Sequence, residues 1–158
     1  MTEPEIRRAR AADAAALAAM YRDAYRENRR LGFPAKAGSA DRETVAEWIE
    51  DDHVPLARVG EAVVGGVRLS VTDADAGRVQ LSRLGVRADR KGEGIGSRLL
   101  DHAEGLVRAW GHTTVWLTTP GEHPYLPGFY RERGYAVTRP YPLDFREYDE
   151  VVMEKRVR

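Results

Sequence analysis

The sequence contains no cysteine, which excludes disulfide bonds, thiol catalysis and zinc sites with cysteine ligands. Its four histidines show no His-x-x-x-His pairing, so no metal site is expected. Long apolar runs are also missing. The longest, residues 14–21, falls far short of the roughly 20 residues that span a bilayer.

An excess of charge of either sign is missing too. The 158 residues include 25 Lys and Arg against 25 Asp and Glu, so no general attraction for nucleic acid or an anionic membrane is expected. The N-terminus carries Glu3, Glu5, Arg7 and Arg8 in place of the apolar core of a signal peptide. We therefore predict a cytoplasmic protein in which residues 1–158 form a single domain.

The pattern that stands out lies near the middle of the chain. Residues 79–86 alternate apolar and polar side chains, which predicts a strand. Three glycines follow, at positions 92, 94 and 96. Apolar residues then recur at three- and four-residue steps from Ile95 to Trp110, which predicts an α-helix. A strand thus passes through three glycines into a helix N-terminus.

A junction of this kind favours an anion. The first amides of a helix have no intrahelical partner, and the helix dipole adds partial positive charge there. No Ser, Thr, Asp or Asn caps the turn ahead of Ile95. Glycine lets a phosphate approach the backbone. The alternative is a glycine-rich turn that only links two elements. A Walker A loop and the GxGxxG dinucleotide fingerprint both fit this spacing less well.

This stretch resembles the acyl-coenzyme A binding motif of the GNAT superfamily of N-acetyltransferases. The family pattern is (Gln or Arg)-x-x-Gly-x-(Gly or Ala). The matching residues here are Lys91-x-x-Gly94-x-Gly96, and the lysine departs from the pattern. A second family marker, Tyr-x-x-x-Gly-(Phe or Tyr), lies at the end of a short helix and is found at residues 130–135. A weak third marker is the last strand with Met-Glu-Lys at 153–155.

The other predicted elements follow in chain order. Strands are predicted at 5–10, 54–59, 62–71, 113–118, 135–138 and 151–157, and helices are predicted around 17–28, 45–49 and 129–133. Ser39 or Asp41 is expected to cap the second helix. The resulting order, β-α-α-β-β-β-α-β-α-β-β, describes a mixed α/β fold. The GNAT fold has the same succession over essentially the whole chain.

The resemblance implies acetyl-coenzyme A (acetyl-CoA) as co-substrate, with no metal. It implies that the pantetheine arm bonds the backbone of one strand and that the pyrophosphate lies on the glycine turn. The implied contacts are Leu84, Val86, Lys91, Gly92, Glu93, Gly94, Ile95, Gly96 and Ser97. It further implies transfer of acetyl to a primary amine by direct attack, through a tetrahedral intermediate. The implied amine is that of a small molecule, an amino acid derivative or a peptide N-terminus.

Tyr130 matches the family tyrosine that acts as general acid toward the coenzyme A sulfur, and a phenol with a pKa of about 10 suits that role. The alternative is an aromatic anchor for a short helix. The position seven residues earlier, often Asn in the family, is His123. This histidine is interpreted as a solvated loop residue, with a pantetheine contact or a base as alternatives. Glu122, Asp73 and a water chain remain open as the general base.

The acceptor site is expected to be lined by Tyr21, Tyr25, Phe33 and Tyr125, although Tyr21 and Tyr25 share a helix face and could equally be core. Two other classes of function stay open. One is an acyl-CoA-binding sensor or regulatory module without turnover, and the other is a protein-interaction module with a vestigial pocket. Dimers are frequent in the family, so the resemblance also allows a homodimer.

Overall fold

The computed structural model describes residues 3–142 and 148–158. Seven strands are found there, and they are β1 (Glu5–Arg8), β2 (Pro55–Val59), β3 (Ala62–Asp73), β4 (Arg78–Val86), β5 (Thr114–Pro120), β6 (Ala136–Tyr141) and β7 (Glu150–Arg156). The α-helices are α1 (Ala14–Ala24), α2 (Arg26–Arg30), α3 (Arg42–Asp51), α4 (Ile95–Ala109) and α5 (Leu126–Glu132). None of these helices is both long and apolar enough to cross a membrane.

The strands form one mixed sheet in the order β1-β2-β3-β4-β5-β7-β6. Strands β4 and β5 run parallel, with Val79 opposite Val115, because α4 returns the chain between them. Strand β7 inserts antiparallel between β5 and β6, and β1, β2 and β3 are joined by antiparallel pairing. The predicted mixed α/β fold is confirmed.

The succession of helices differs from the prediction at one point. The sequence predicts one helix from Leu17 to Asn28, whereas α1 ends at Ala24 and a short separate helix, α2, follows. The break lies at Tyr25, where the backbone leaves the helical region at φ −94° and ψ 2°. The Tyr25 hydroxyl donates to the carbonyl oxygen of Leu84 at 2.8 Å, a contact that local periodicity cannot reveal.

Local signals position several boundaries correctly. Ser39 and Asp41 are the two predicted caps of α3, and Asp41 is the N-cap in the structure. Its carboxylate accepts a hydrogen bond from the amide of Thr44 at 2.8 Å. Helix α5 begins at Leu126, three residues before the predicted Phe129. Pro127 lies in its first turn, where the missing amide of proline is harmless.

The chain forms two compact units. The first combines Met1–Ser70 with Leu81–Gly105. Its core includes the apolar faces of α1 and α3 and strand β2, represented by Leu17, Val45 and Leu56, all without exposed surface. The amphipathic spacing in α1 and α3 explains why these faces point inward.

The second unit combines Val71–Gln80 with Leu106–Arg158. Its strands bury Val115 and Leu117 on β5 and Met153 on β7, with Leu117 paired opposite Met153. Strand β6 lies at the edge of the sheet, and all six of its residues are exposed. Helix α5 belongs to this unit. The single-domain organisation of residues 1–158 stays a prediction.

Candidate functional site

The turn between β4 and α4 exposes its backbone. Gly92 and Gly94 are exposed and have φ angles of +86° and +83°, a conformation that glycine adopts without steric cost. A Cβ added at either position would meet no atom within 4 Å. Backbone conformation, rather than lack of room, therefore requires glycine here, and the space beside both residues is open to a ligand.

Helix α4 is fixed to the sheet immediately after this turn. Ile95 and Leu99 are buried, and they pack against Gly65 of β3. A Cβ at Gly65 would lie 2.9 Å from Leu99 Cδ1 and 3.1 Å from Ile95 Cγ2, so only glycine allows this close approach. The start of α4 is thus held rigidly while the preceding turn remains exposed.

The first turn of α4 suits an anion electrostatically. The helix contains no acidic residue in this turn. The amide of Arg98 donates to the carbonyl of Gly94 at 3.1 Å, which places the start of the helical ladder at the glycine turn. The amides that precede this first hydrogen bond point outward from the N-terminal end of the helix, which is the positive end of its dipole.

Two carboxylates from the N-terminal helices hold the turn in place. Asp23 Oδ2 accepts from the amide of Ala88 at 2.8 Å, and Glu27 Oε2 accepts from Lys91 Nζ at 3.1 Å. Lys91 Nζ also contacts the carbonyl of Ala24, the last residue of α1, at 3.4 Å. Lysine at this family position therefore has a defined role, since it ties the turn to α1 and α2.

The other cations near the turn are also paired. Arg87 bonds Asp89 at 2.6 Å, Arg90 approaches Glu93 at 3.3 Å, and Arg98 bonds Glu3 at 2.9 Å. Bonding to Arg87 lowers the pKa of the Asp89 carboxyl. Charges beside the turn are thus nearly balanced, and its exposed backbone is the feature that suits an anion.

Strand β4 carries a local irregularity just before the predicted pantetheine contacts, Leu84 and Val86. Arg83 has φ +54°, and among the described non-glycine residues it alone has positive φ. Leu84 and Val86 are half-buried, and the Leu84 carbonyl accepts the Tyr25 hydroxyl. Their contact with a ligand stays a prediction.

The predicted acceptor residues occupy different environments. Tyr21 is 0% exposed and its ring packs edge-on against Trp48 at 5.7 Å, so it is a core residue, the alternative that helical spacing left open. Tyr25 is half-buried and braces β4. Phe33 is half-buried in the turn after α2. Tyr125, in the second unit, is 44% exposed.

Tyr130 lies in α5 and is 6% exposed. Its carbonyl accepts from the amide of Tyr135 at 3.1 Å, the Gly134 amide donates to Arg131, and Gly134 has φ +95°. This is a Schellman helix end, and the rings of Tyr130 and Tyr135 supply its usual apolar contact at 5.8 Å. The Tyr-x-x-x-Gly-Tyr marker therefore has a structural basis in helix termination, which uses the ring and the carbonyl of Tyr130 and not its hydroxyl.

The interpretation of His123 as a solvated loop residue is wrong, because the residue is only 5% exposed. Its Nδ1 accepts from the amides of Tyr125 and Leu126, both at 3.2 Å, at the start of α5. This arrangement is that of an imidazole with its proton on Nε2. Sequence reasoning missed the role because helix caps are usually Ser, Thr, Asp or Asn.

The general base is not singled out by these contacts. Asp73 accepts from the amide of Ala76 at 3.0 Å and shapes the turn before β4, and Glu122 is exposed. In the part of the chain that the structure describes, no cluster of three His, Asp or Glu residues could hold a metal ion.

The chain is similar to known proteins in both sequence and fold. A model of the acetyltransferase (GNAT) family matches residues 16–135, which include both the glycine turn and Tyr130. The chain is similar in structure to PaiA N-acetyltransferase from Thermoplasma acidophilum, solved in complex with coenzyme A, with 19% identity, 97% of this chain and 98% of that chain covered, and a TM-score of 0.81.

Two further solved structures are similar. The ribosomal-protein-S18-alanine N-acetyltransferase from Escherichia coli shows 18% identity, with 98% of this chain and 94% of that chain covered and a TM-score of 0.78. The yncA protein from Salmonella typhimurium, solved with its cofactor acetyl-CoA, shows 20% identity, with 99% and 95% covered and a TM-score of 0.77. At these identities the similarities establish the fold.

Proposed function

The chain belongs to the acetyltransferase (GNAT) family, and from that premise we propose that it is an acetyl-CoA-dependent N-acetyltransferase acting on a primary amine. The acceptor is a small amine, an amino acid derivative or a peptide N-terminus. Two structural neighbours, solved with coenzyme A and with acetyl-CoA, support the choice of co-substrate.

One observation carries the proposal: the exposed turn at Gly92 and Gly94 leads directly into the amides at the start of α4. A diphosphate needs several backbone donors, a close approach and no neighbouring carboxylate in the helix, and this turn offers all three. The turn from Lys91 to Ser97 would hold the pyrophosphate through its backbone, and Leu84 and Val86 would hold the pantetheine arm.

Acetyl-CoA, when bound, supplies an acetyl group activated as a thioester. The amine must first lose a proton, because an alkylamine with a pKa of about 10.4 is protonated at neutral pH. Its nitrogen then bonds the acetyl carbon through a tetrahedral intermediate, and the carbon–sulfur bond breaks. The nitrogen loses a further proton as the amide forms. Tyr130 donates a proton to the departing sulfur, so that coenzyme A leaves as a thiol, and the tyrosine regains its proton from solvent.

The direct test measures thiol release from acetyl-CoA across a panel of amines, beside a calorimetric titration with coenzyme A. We expect both binding and turnover with at least one amine class. Binding without turnover on any amine would instead favour a sensor or regulatory module.

The interaction-module alternative makes a separate prediction. A ligand at about 100 times its Kd adds roughly 2.7 kcal/mol to the free energy of unfolding, so coenzyme A should raise the melting temperature measurably. No shift at saturating coenzyme A would contradict the acetyltransferase assignment. A cytoplasmic location and a homodimer remain predictions.

A further inference from the structure

Trp48, in α3, is contacted by two arginines from neighbouring strands of the first unit. The Arg68 guanidinium lies 5.4 Å from the ring centre, and the Arg83 guanidinium lies 5.2 Å from it. Both distances are those of cation–π contacts. A guanidinium that lies over an aromatic ring can still donate its N–H groups to a planar acceptor such as a carboxylate.

Arg68 shows that a guanidinium beside this ring can bind a carboxylate. Its Nε and Nη2 atoms contact Asp52 Oδ2 at 2.7 Å and 2.6 Å. Arg68 therefore combines a cation–π contact with a carboxylate contact.

Arg83 makes the same cation–π contact with Trp48, but no carboxylate of the described residues pairs with it. Its Nε is buried without a hydrogen-bond partner, and its guanidinium forms no ion pair with any residue in 3–142 or 148–158. The nearby Tyr21 hydroxyl is likewise buried and unpartnered in the described chain. Burial raises the pKa of Tyr21 well above its ordinary value, and Arg83 and Arg68 oppose that rise, so both guanidiniums act electrostatically on this hydroxyl.

The backbone at Arg83 is strained as well. A non-glycine residue at φ +54° within a strand is uncommon, and such strain concentrates at functional sites. Glycine would relieve the strain at once. An arginine here keeps a long cationic side chain at a position that disfavours any side chain, directly before Leu84.

From these contacts we infer that the acceptor amine carries a carboxylate and that Arg83 binds it. The inference rests on the proposed function and narrows the acceptor to amines with a nearby carboxylate, of which amino acids are the simplest. Along the chain, Arg83 comes before Leu84 and Val86, which are expected to hold pantetheine. The glycine turn expected to hold the pyrophosphate comes after them, so Arg83 lies on the opposite side of the pantetheine contacts from the pyrophosphate. Arg83 is therefore assigned to the acceptor and not to the coenzyme A phosphates.

The test compares amino acids with their carboxamides, which keep the amine and lose the charge. We expect kcat/KM to favour the free acids by about tenfold or more, the range of a charge-assisted hydrogen bond. In Arg83→Gln we expect this preference to disappear, because kcat/KM falls for the free acids and stays unchanged for the carboxamides. Arg83→Lys keeps the charge without the planar fork and should retain part of the preference.

Arg42→Gln is the matched control, because it removes one exposed positive charge from the start of α3 in the same unit. It should leave the preference unchanged. Melting temperatures confirm that each variant folds. If Arg83→Gln does not fold, the comparison of Arg83→Lys with the native protein still decides the inference.

A second readout does not depend on turnover. Calorimetry in the presence of coenzyme A compares N-acetyl amino acids with N-acetyl amino acid amides. Tighter binding of the acids by the native protein, lost in Arg83→Gln, supports the inference even if no amine in the panel is acetylated. Turnover that treats acids and amides equally overturns the inference while leaving acetyltransferase activity intact. A tenfold loss of coenzyme A affinity in Arg83→Gln, with the preference kept, assigns Arg83 to coenzyme A and also overturns it.

Discussion

Tyr130 combines two features at the scale of a single residue. Its ring and carbonyl complete the end of α5 with Tyr135, whereas only its hydroxyl is suited to proton donation. Structural and chemical roles can therefore be separated by removing the oxygen alone.

We expect Tyr130→Phe to lower turnover by roughly 10- to 1,000-fold, an effect that overlaps the range for loss of one general acid. Ring packing against Phe129 and Tyr135 is kept, so stability and coenzyme A affinity should change little. Steady-state kinetics with the best amine measures the effect. Tyr135→Phe is the matched control, since it removes a hydroxyl from the partner ring. Turnover of Tyr130→Phe within twofold of native would contradict the acid role.

His123 is the second residue whose role can be isolated. Its Nδ1 accepts two amides at the start of α5, so His123→Ala leaves both donors without this acceptor. We expect a loss of about 1 to 2 kcal/mol in the free energy of unfolding, measured by urea denaturation. His123→Asn offers a side-chain oxygen and should recover part of the loss. Glu122→Ala, at the exposed neighbouring position, should have almost no effect. Equal stabilities of the alanine variant and the native protein would show that these bonds contribute nothing.

At the scale of elements, the β4–α4 turn joins a rigid helix start to an exposed backbone. Gly65 lets α4 approach β3, and Asp23 and Glu27 fasten the turn to the N-terminal helices. A ligand bound there would meet a preorganised set of amides, which reduces the ordering cost of binding.

Gly94→Glu tests this element directly. It places a carboxylate beside the amides expected to hold pyrophosphate, so we expect coenzyme A affinity to fall at least tenfold, as measured by calorimetry, because like charges repel. Gly60→Glu, in the turn between β2 and β3, is a matched control. Gly60 also has positive φ, and a Cβ there also meets nothing within 4 Å. Both variants should lose similar stability, but only Gly94→Glu should lose affinity. Undiminished affinity in folded Gly94→Glu would remove the pyrophosphate from this turn.

At the scale of the whole molecule, positive and negative charges balance. We therefore expect the dependence of stability on pH to come mainly from the few groups whose pKa values are shifted by folding. Burial lowers the pKa of His53 from 6.5 to about 4, with smaller contributions from Arg8 and His102. Burial also lowers the pKa of His102. Between its two pKa values His53 binds more protons in the unfolded chain than in the folded chain, so its contribution to stability is full above pH 6.5 and is lost as the pH falls toward 4.

Because His53 is only half-buried, solvent screening reduces the effect of its shifted pKa, and we expect the free energy of unfolding to fall by about 1 to 2 kcal/mol between pH 7 and pH 4.5. Urea denaturation across this range measures the fall. His53→Gln removes the titrating group and keeps the two backbone bonds between residue 53 and Leu69, so its profile should be flatter. A native slope that persists in His53→Gln would assign the decline to other groups.

The sequence alone determined the features that depend on neighbours along the chain. Amphipathic spacing predicts α1, α3 and α4, alternation predicts β4, and the Asp41 cap is readable because it lies three residues from its donor. The glycine turn is also readable, since positive φ is a local demand on residue type.

Tertiary structure decided whatever depends on which segments meet. Lys91 and Glu27 are 64 residues apart, and the Tyr25 hydroxyl reaches Leu84 across 59 residues. Burial of Tyr21 and His123, and the cation–π contact of Arg83 with Trp48, likewise follow from packing between elements. Periodicity shows which side of a helix or strand turns inward, but only the folded chain shows which polar group meets a partner there.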